Sequence, residues 1–235
     1  MSGKDTSRKK FNSSPKPQQK PKHYPHIGRK EKEPDAAFWA KLYRVGDTGW
    51  DQGGPSPGLV DFLKDDVGAR RAMPLRSGCA LVPGCGHGHD ARALASAGFD
   101  VIGLDVVKSA VREAARLAKS EGLTGIRFEQ ADFFDLSGIL RGPYDLIFEN
   151  TFFCAIDPGL RDRYVETAAN LLHPGGFLLG IFYNIQPETG PPFGVTREEL
   201  IERFGHRFTL ALDRVPRSIS RREGKELLML WQRKT

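Results

Sequence analysis

The chain predicts a doubly wound α/β fold, a mostly parallel sheet flanked by helices and finished by an antiparallel hairpin. Three observations carry this. From Cys79 onward, short apolar runs alternate with segments of helical period. A turn holding Gly84, Gly86 and Gly88 joins the first apolar run to the first of those helices. The second apolar run ends on Asp105, 21 residues after Gly84, and a carboxylate at such a strand tip can grip a ribose.

The elements follow in order. Asp35 caps a helix whose Phe38, Trp39, Leu42 and Tyr43 form an apolar stripe and which stops near Gly46. Phe38 is assigned to the core, while Trp39 and Trp50 are left open between core and site. A loop containing Trp50, Gly53, Gly54, Pro55 and Pro57 leads to a short helix on Leu59, Val60, Phe62 and Leu63. Strands are expected at Cys79 to Val82, Val101 to Leu104, Ile126 to Glu129 and Tyr144 to Phe148. Helical faces lie between and after them, at Ala91, Leu94 and Ala95, at Val111, Ala114, Ala115 and Ala118, and at Leu160, Tyr164, Ala168, Leu171 and Leu172. His173 to Gly176, HPGG, breaks the last of these and precedes a strand from Phe177 to Tyr183. Thr196 with Glu199 three residues on caps a further helix. The strands Arg207 to Val215 and Glu226 to Gln232 are joined by too few residues for a helical crossover, so they pair antiparallel.

Composition bounds the rest. With 235 residues and 39% apolar content, one sizeable core is affordable and one domain is expected. The formal charge of +6 is concentrated in residues 1–34, where ten Lys/Arg meet three Asp/Glu; residues 35–235 hold 25 basic and 26 acidic side chains. That segment carries five prolines and few large apolar residues, so it reads as a disordered basic tail ahead of a domain over 35–235, whose residues 35–75 form an N-terminal lid. The tail has no apolar core region of a secretory signal and no amphipathic face of a transit peptide, and no run of about 18 apolar residues exists to cross a bilayer. Cys79, Cys85 and Cys154 are too few and too scattered for a disulfide framework or a zinc site, which favours a reducing, cytoplasmic setting. Cys79, at the start of a buried strand, is read as a core thiol, and Cys85 as a small residue of the glycine loop with no base partner nearby. His87 and His89 resemble a short metal pair, but no carboxylate or cysteine is spaced to complete it; they are assigned to the loop, and no metal is expected.

A glycine loop before a helix is a general anion device, and its spacing narrows it. No Gly-Lys-Ser/Thr follows, which excludes the Walker pattern, and Gly84, Gly86 and Gly88 run G-x-G-x-G rather than G-x-G-x-x-G. The loop, Asp105, the QADFFD segment with Asp132 and Phe133, and the HPGG segment together resemble class I methyltransferases that use S-adenosylmethionine, a Rossmann-like fold. That resemblance implies Asp105 at the ribose hydroxyls, Asp132 at the adenine amino group, and the Phe133 amide at the adenine ring.

Residues 38–235 resemble more closely the thiopurine S-methyltransferase family, in its branch of thiol, halide and thiocyanate methyltransferases. The stretches that carry it are FWAKLYRVGDTGWDQGGPSP, LVPGCGHGHD, VIGLDVV, QADFFD, YDLIFENTFFCAIDPGLRDRY and GPPFGV. The resemblance implies that Trp39, Tyr43 and Trp50 close over the cofactor, where an aromatic face attracts its sulfonium. It adds Gly84, Cys85, Gly86 and Asn150 to the cofactor site. The implied acceptor is a small, soft nucleophile, a thiol, sulfide, thiocyanate, halide or thiopurine, and such acceptors are ionised or carry no proton, so a dedicated base is dispensable. Glu149 is the one carboxylate in the right region for a base, and a structural or cofactor-side role is preferred for it. The acceptor pocket is sought among Asn150, Phe152, Phe153, Tyr183 and Phe193, with Pro191 and Pro192 shaping the loop.

Two rival readings remain at this level. A nucleic-acid methyltransferase would need a basic folded surface, and an amine methyltransferase usually carries Asn/Asp-Pro-Pro-aromatic where this chain has Glu149-Asn150-Thr151-Phe152. A binding module would keep the cofactor pocket without transferring a methyl group. The expected partner is a small-molecule acceptor, with no nucleic acid and no membrane, and the expected state is monomeric.

Overall fold

The structure is a computed structural model that describes residues 34–65, 72–74, 77–135, 142–187 and 189–235. The expected basic tail, apart from Pro34, and the end of the expected lid lie outside the described residues.

Helix α1 (Ala36–Val45) starts where Asp35 Oδ1 accepts the Phe38 N–H at 2.8 Å and ends at Gly46, whose φ of 71° lets its N–H reach the Leu42 and Tyr43 carbonyls. None of its residues is fully buried, and Phe38 is half-buried edge-on to Trp39, so the expected core position is a surface one. Helix α2 (Pro57–Lys64) has proline at its first turn, where a missing N–H is harmless, and buries Leu59 and Phe62.

The remaining order is β1 (Gly78–Pro83), α3 (His89–Ser96), β2 (Phe99–Asp105), α4 (Lys108–Ser120), β3 (Ile126–Gln130) and β4 (Tyr144–Asn150). Then follow α5 (Arg161–Leu171), β5 (Leu172–Tyr183), α6 (Arg197–Phe204), β6 (Phe208–Arg214) and β7 (Glu226–Arg233). The strands form one sheet in the order β3-β2-β1-β4-β5-β7-β6. Strands β3, β2, β1, β4 and β5 pair parallel, and β7 pairs antiparallel with both β5 and β6. The expected sheet and hairpin are therefore present, with β7 inserted between β5 and β6.

Helices cover both faces, which is why the central strands read as unbroken apolar runs. Along β1 the period of two sends Leu81 to one core and Ala80 and Val82 to the other. The first core takes Tyr164 and Val165 from α5 and Leu200 and Phe204 from α6, with Trp231 stacked on Phe204 at 5.2 Å. The second takes Leu59 and Phe62 from α2 and Ala91 and Leu94 from α3. Each large side chain so enclosed contributes roughly 1.5–3 kcal/mol.

Two details differ from the expectation. HPGG does not separate helix from strand: Leu172 already pairs with Tyr144, and the register then shifts so that Phe177 meets Leu146. Gly175, at φ 83°, makes this excursion possible, and Gln232 Nε2 donates to its carbonyl at 3.1 Å. Cys79 is exposed rather than core, because it is the second residue of β1, ahead of the buried run Ala80–Pro83, and its N–H donates to Asp145 Oδ2 at 2.7 Å. Among the described residues no helix is long and apolar enough to cross a membrane.

Candidate active site

In the sheet order, β1 lies between β2 and β4, and the direction of winding reverses there. The carboxyl ends of β1 and β4 consequently open a crevice. Gly84 leaves β1 and Asn150 and Thr151 leave β4 to line one pocket, over which stand Trp50, Asp51 and Gln52 from the loop between α1 and α2.

The glycines of this loop are required by space as well as by angle. At Gly84, φ is +59° and a Cβ would lie 2.6 Å from the Phe152 ring; at Gly86, φ is +54° and a Cβ would lie 3.0 Å from the Tyr43 hydroxyl. The loop is tied to β2 by two bonds: Cys85 N–H donates to the Leu104 carbonyl at 2.8 Å and Gly86 N–H donates to Asp105 Oδ2 at 2.9 Å. Asp105 Oδ1 accepts the Val107 N–H at 2.8 Å. Each carboxylate oxygen thus keeps a lone pair for a further donor. Burial raises the Asp105 pKa above the usual carboxylate range, and the two backbone donors oppose it. Burial, then the Asp105 charge, also pushes the Cys85 thiol well up, which removes it as a nucleophile.

The three aromatic residues that the family resemblance implies for the cofactor meet one another here. Trp50 meets Trp39 edge-on at 5.3 Å and Tyr43 edge-on at 5.5 Å, and its indole N–H lies 3.4 Å from the Tyr43 oxygen. Burial first and the Asp105 carboxylate second raise the Tyr43 pKa, so its hydroxyl stays protonated.

Asp132 is exposed, its Oδ1 accepting the Phe134 N–H at 2.8 Å, and Phe133 is buried with its ring against Phe152 and Tyr164. Asn150 donates from Nδ2 to Asp90 Oδ2 at 2.8 Å, and the Ser56 N–H donates to Asp90 Oδ1 at 2.7 Å. Asp90 thereby ties the start of α2 to the tip of β4. Its role is invisible in the sequence, because its partners stand 34 and 60 residues away. Two carbonyl oxygens on pocket-lining side chains, Gln52 Oε1 and Asn150 Oδ1, are buried without a hydrogen-bond partner among the described residues. Such acceptors call for a donor-bearing ligand. The ammonium of an amino acid supplies one, so the cradle and its orphaned acceptors fit S-adenosylmethionine.

Glu149 is 1% exposed. Its Oε1 accepts the N–H groups of Phe152 at 3.1 Å and Phe153 at 2.8 Å, while Tyr164 donates its hydroxyl to Oε2 at 3.3 Å. Burial pushes its pKa up to about 7 against those bonds. Its carboxylate holds the turn after β4, in which Thr151 adopts φ 64°. A β-branched residue there stores on the order of 1–3 kcal/mol of strain, and the Glu149 clamp offsets it. This arrangement matches the structural role preferred for Glu149.

The acceptor-pocket candidates separate. Phe152 is half-buried against the glycine loop. Phe153 is core: it is 1% exposed and packs on Tyr164, Phe182 and Phe204, so its expected pocket role is corrected. The cause is the Thr151 turn, which sends two adjacent rings in different directions. Tyr183 is half-buried beneath the Arg222 guanidinium at 5.0 Å, and Phe193 is held by its N–H to the Cys154 carbonyl at 2.6 Å. Both lie outside the lining of the pocket beside the glycine loop.

The reading of His87 and His89 as loop residues without a carboxylate partner is also corrected. Asp51, 36 residues before His87, places Oδ2 2.6 Å from His87 Nδ1 and Oδ1 3.1 Å from His89 Nε2. No local spacing could reveal this, since the pairing depends on how the lid docks.

Known proteins agree with this geometry. The family model for thiopurine S-methyltransferase matches residues 34–227. Thiocyanate methyltransferase 1 of Brassica oleracea is 38% identical over 83% of this chain and 84% of its own length. A probable thiol methyltransferase 2 of Arabidopsis thaliana is 33% identical over 86% of this chain and 87% of its own. Among solved structures, a Burkholderia thailandensis 1,6-didemethyltoxoflavin-N1-methyltransferase with bound S-adenosylhomocysteine shares the fold, at a TM-score of 0.65 and 19% identity over 85% of this chain and 87% of that one. With the sheet, the glycine cradle and the family match in agreement, the chain belongs to the thiopurine S-methyltransferase family and is an S-adenosyl-L-methionine-dependent methyltransferase.

Proposed function

We propose that this enzyme methylates a small, soft nucleophile, a thiol, sulfide, thiocyanate, halide or thiopurine, at the carboxyl end of β4. The observation that carries the reading is the turn after β4. Its one buried carboxylate, Glu149, is committed to two backbone N–H groups and a tyrosine hydroxyl, so the acceptor must arrive already nucleophilic. Thiolates, thiocyanate and halides meet that condition at neutral pH. The named activities of the two plant relatives support the same class.

S-adenosyl-L-methionine supplies an electrophilic methyl group on a sulfonium. In our reading Asp105 binds the ribose hydroxyls, Asp132 and Phe133 the adenine, and Gly84, Cys85, Gly86 and Asn150 the amino-acid portion. Trp39, Tyr43 and Trp50 shield the sulfonium and exclude water, an aromatic face and a cation attracting by roughly 0.5–2 kcal/mol. Phe152, packed against Gly84, forms the wall between cofactor and acceptor, and its polarizable face suits a sulfur or halide nucleophile. Transfer then needs alignment and dehydration rather than proton removal. Tyr183 and Phe193 are proposed for the outer part of the acceptor pocket.

Three free cysteines support a reducing, cytoplasmic setting, and the exposed large apolar residues Val45 in α1, Ile201 in α6 and Val215 just after β6, scattered along the chain, support a monomer. The domain is proposed to span 35–235. A panel of sulfide, thiocyanate, iodide, an aryl thiol, a thiopurine and an amine, with radiolabelled cofactor, tests the function. Turnover of at least one of the first five, exceeding the amine by 100-fold or more, is expected; preference for the amine would refute it.

A further inference from the structure

Asp51 stands between two pocket residues of the lid loop, Trp50 and Gln52, and its side chain is 18% exposed. One of its oxygens meets His87 of the glycine loop at 2.6 Å and the other meets His89, the first residue of α3, at 3.1 Å. The Gly53 N–H adds a donor to Oδ1 at 2.8 Å, which sets the carboxylate's orientation. One side chain therefore spans lid and cradle at the pocket rim.

The three side chains bring ligand atoms within 4.8 Å of one another, a spacing that invites a transition metal. Arg92 decides against one. Its Nη2 lies 3.0 Å from His89 Nδ1, and a guanidinium can only donate. Nδ1 must accept, so Nε2 carries the proton and points it at Asp51. A metal would need that lone pair and would sit beside a fixed cation whose Nε also pairs with Glu121 at 3.0 Å.

We propose that Asp51 is a positioning residue, a latch that closes the lid loop onto the glycine loop through His87 and His89 and so retains the bound cofactor beneath Trp50. This rests on the cofactor reading of the pocket. The latch is an ion pair while His87 is protonated and a hydrogen bond from a neutral imidazole to the Asp51 carboxylate afterwards. The groups facing His87 are Asp51, His89, Glu113, Asp105, the Tyr43 ring at 5.3 Å and the Arg92 guanidinium, whose Nη1 donates to the His87 carbonyl at 2.6 Å. The hydrogen bond to Asp51 raises its pKa most, burial opposes, and the Glu113 and Asp105 charges add to the rise. Asp51 is itself held well below the usual carboxylate range, first by His87 and then by His89, so it stays ionised throughout the neutral range. A histidine proton bound more tightly in the latched state favours closure fully below about pH 6.5, and that help is lost as pH rises through the raised value.

The test is release of S-adenosylhomocysteine from the full-length protein, followed by stopped-flow tryptophan fluorescence between pH 5.5 and 8.5, with melting temperatures to establish folding. The wild-type dissociation rate is expected to rise about 3–10-fold across the range. Asp51→Asn is expected to release the ligand at least 10-fold faster at low pH with a flat profile, and His87→Gln to be flat at an intermediate rate. A flat wild-type profile, or an Asp51→Asn profile parallel to it, overturns the latch. Stabilisation of the wild type by micromolar Zn²⁺, lost in Asp51→Asn, overturns it in favour of a metal site. A wild type that binds no S-adenosylhomocysteine at any pH refutes the cofactor reading itself, a result separate from any of these.

Discussion

Replacing Asp105 by asparagine tests the centre of the proposed cofactor site, because it keeps shape and removes charge. In the wild type one carboxylate oxygen accepts from Gly86 N–H at 2.9 Å and the other from Val107 N–H at 2.8 Å. An amide can satisfy one of these and must turn its NH₂ toward the other, leaving a buried donor unpaired at about 1–3 kcal/mol. Relief of the buried charge offsets part of that, since burial already holds the Asp105 pKa above its ordinary value. The lower half of the range is expected, and at roughly 2–4 °C per kcal/mol for a chain of this size the melting temperature should fall by about 2–8 °C. Cofactor binding suffers more. Losing a charge-assisted bond to a ribose hydroxyl costs about 1.5–3 kcal/mol, so the Kd for S-adenosylhomocysteine should rise roughly 10–150-fold by isothermal titration calorimetry. An unchanged Kd with the expected melting shift would show that Asp105 only holds the loop, and the ribose assignment would be wrong.

Two further outcomes test the turn after β4. Glu149→Gln should leave kcat within about threefold, because the carboxylate serves the backbone; a 100-fold loss would make it a base. The same variant should gain stability relative to the wild type as pH rises. A carboxylate raised to about 7 when folded favours folding in full below its unfolded value near 4.5, and that contribution is lost through pH 7, by roughly 2–4 kcal/mol in urea titrations at pH 5 and pH 8.5. For the adjacent rings, Phe153→Ala should destabilise by about 3–5 kcal/mol as a core cavity, whereas Phe152→Ala should cost less stability and raise the acceptor KM. The reverse ranking would invert their assignment.

Local chemistry made much of this protein legible in advance. The caps at Asp35, Gly46 and Thr196 act within four residues, and the strand and helix periods act within a dozen, so elements and even the β6–β7 pairing could be read directly. The loop from Gly84 to Gly88 and Asp105 were equally readable, because the bonds from Cys85 to Leu104 and from Gly86 to Asp105 lie within one strand-helix-strand unit.

What tertiary structure alone decided is every contact that joins distant segments, and every choice between neighbours that a single turn controls. Phe152 and Phe153 are chemically identical, and only the left-handed Thr151, braced by Glu149, leaves one half-buried against Gly84 and encloses the other in the core. Asp51 reaches His87 and His89, and Asp90 reaches Ser56 and Asn150, because the loop between α1 and α2 packs against the glycine loop. The amino-acid sequence by itself determined the doubly wound sheet, the glycine cradle and the acid at the tip of β2, since short-range periodicity and backbone geometry dictate them. How Asp51 joins the α1–α2 loop to the glycine loop, and which of two adjacent phenylalanines is buried, depended on packing between segments that no local pattern records.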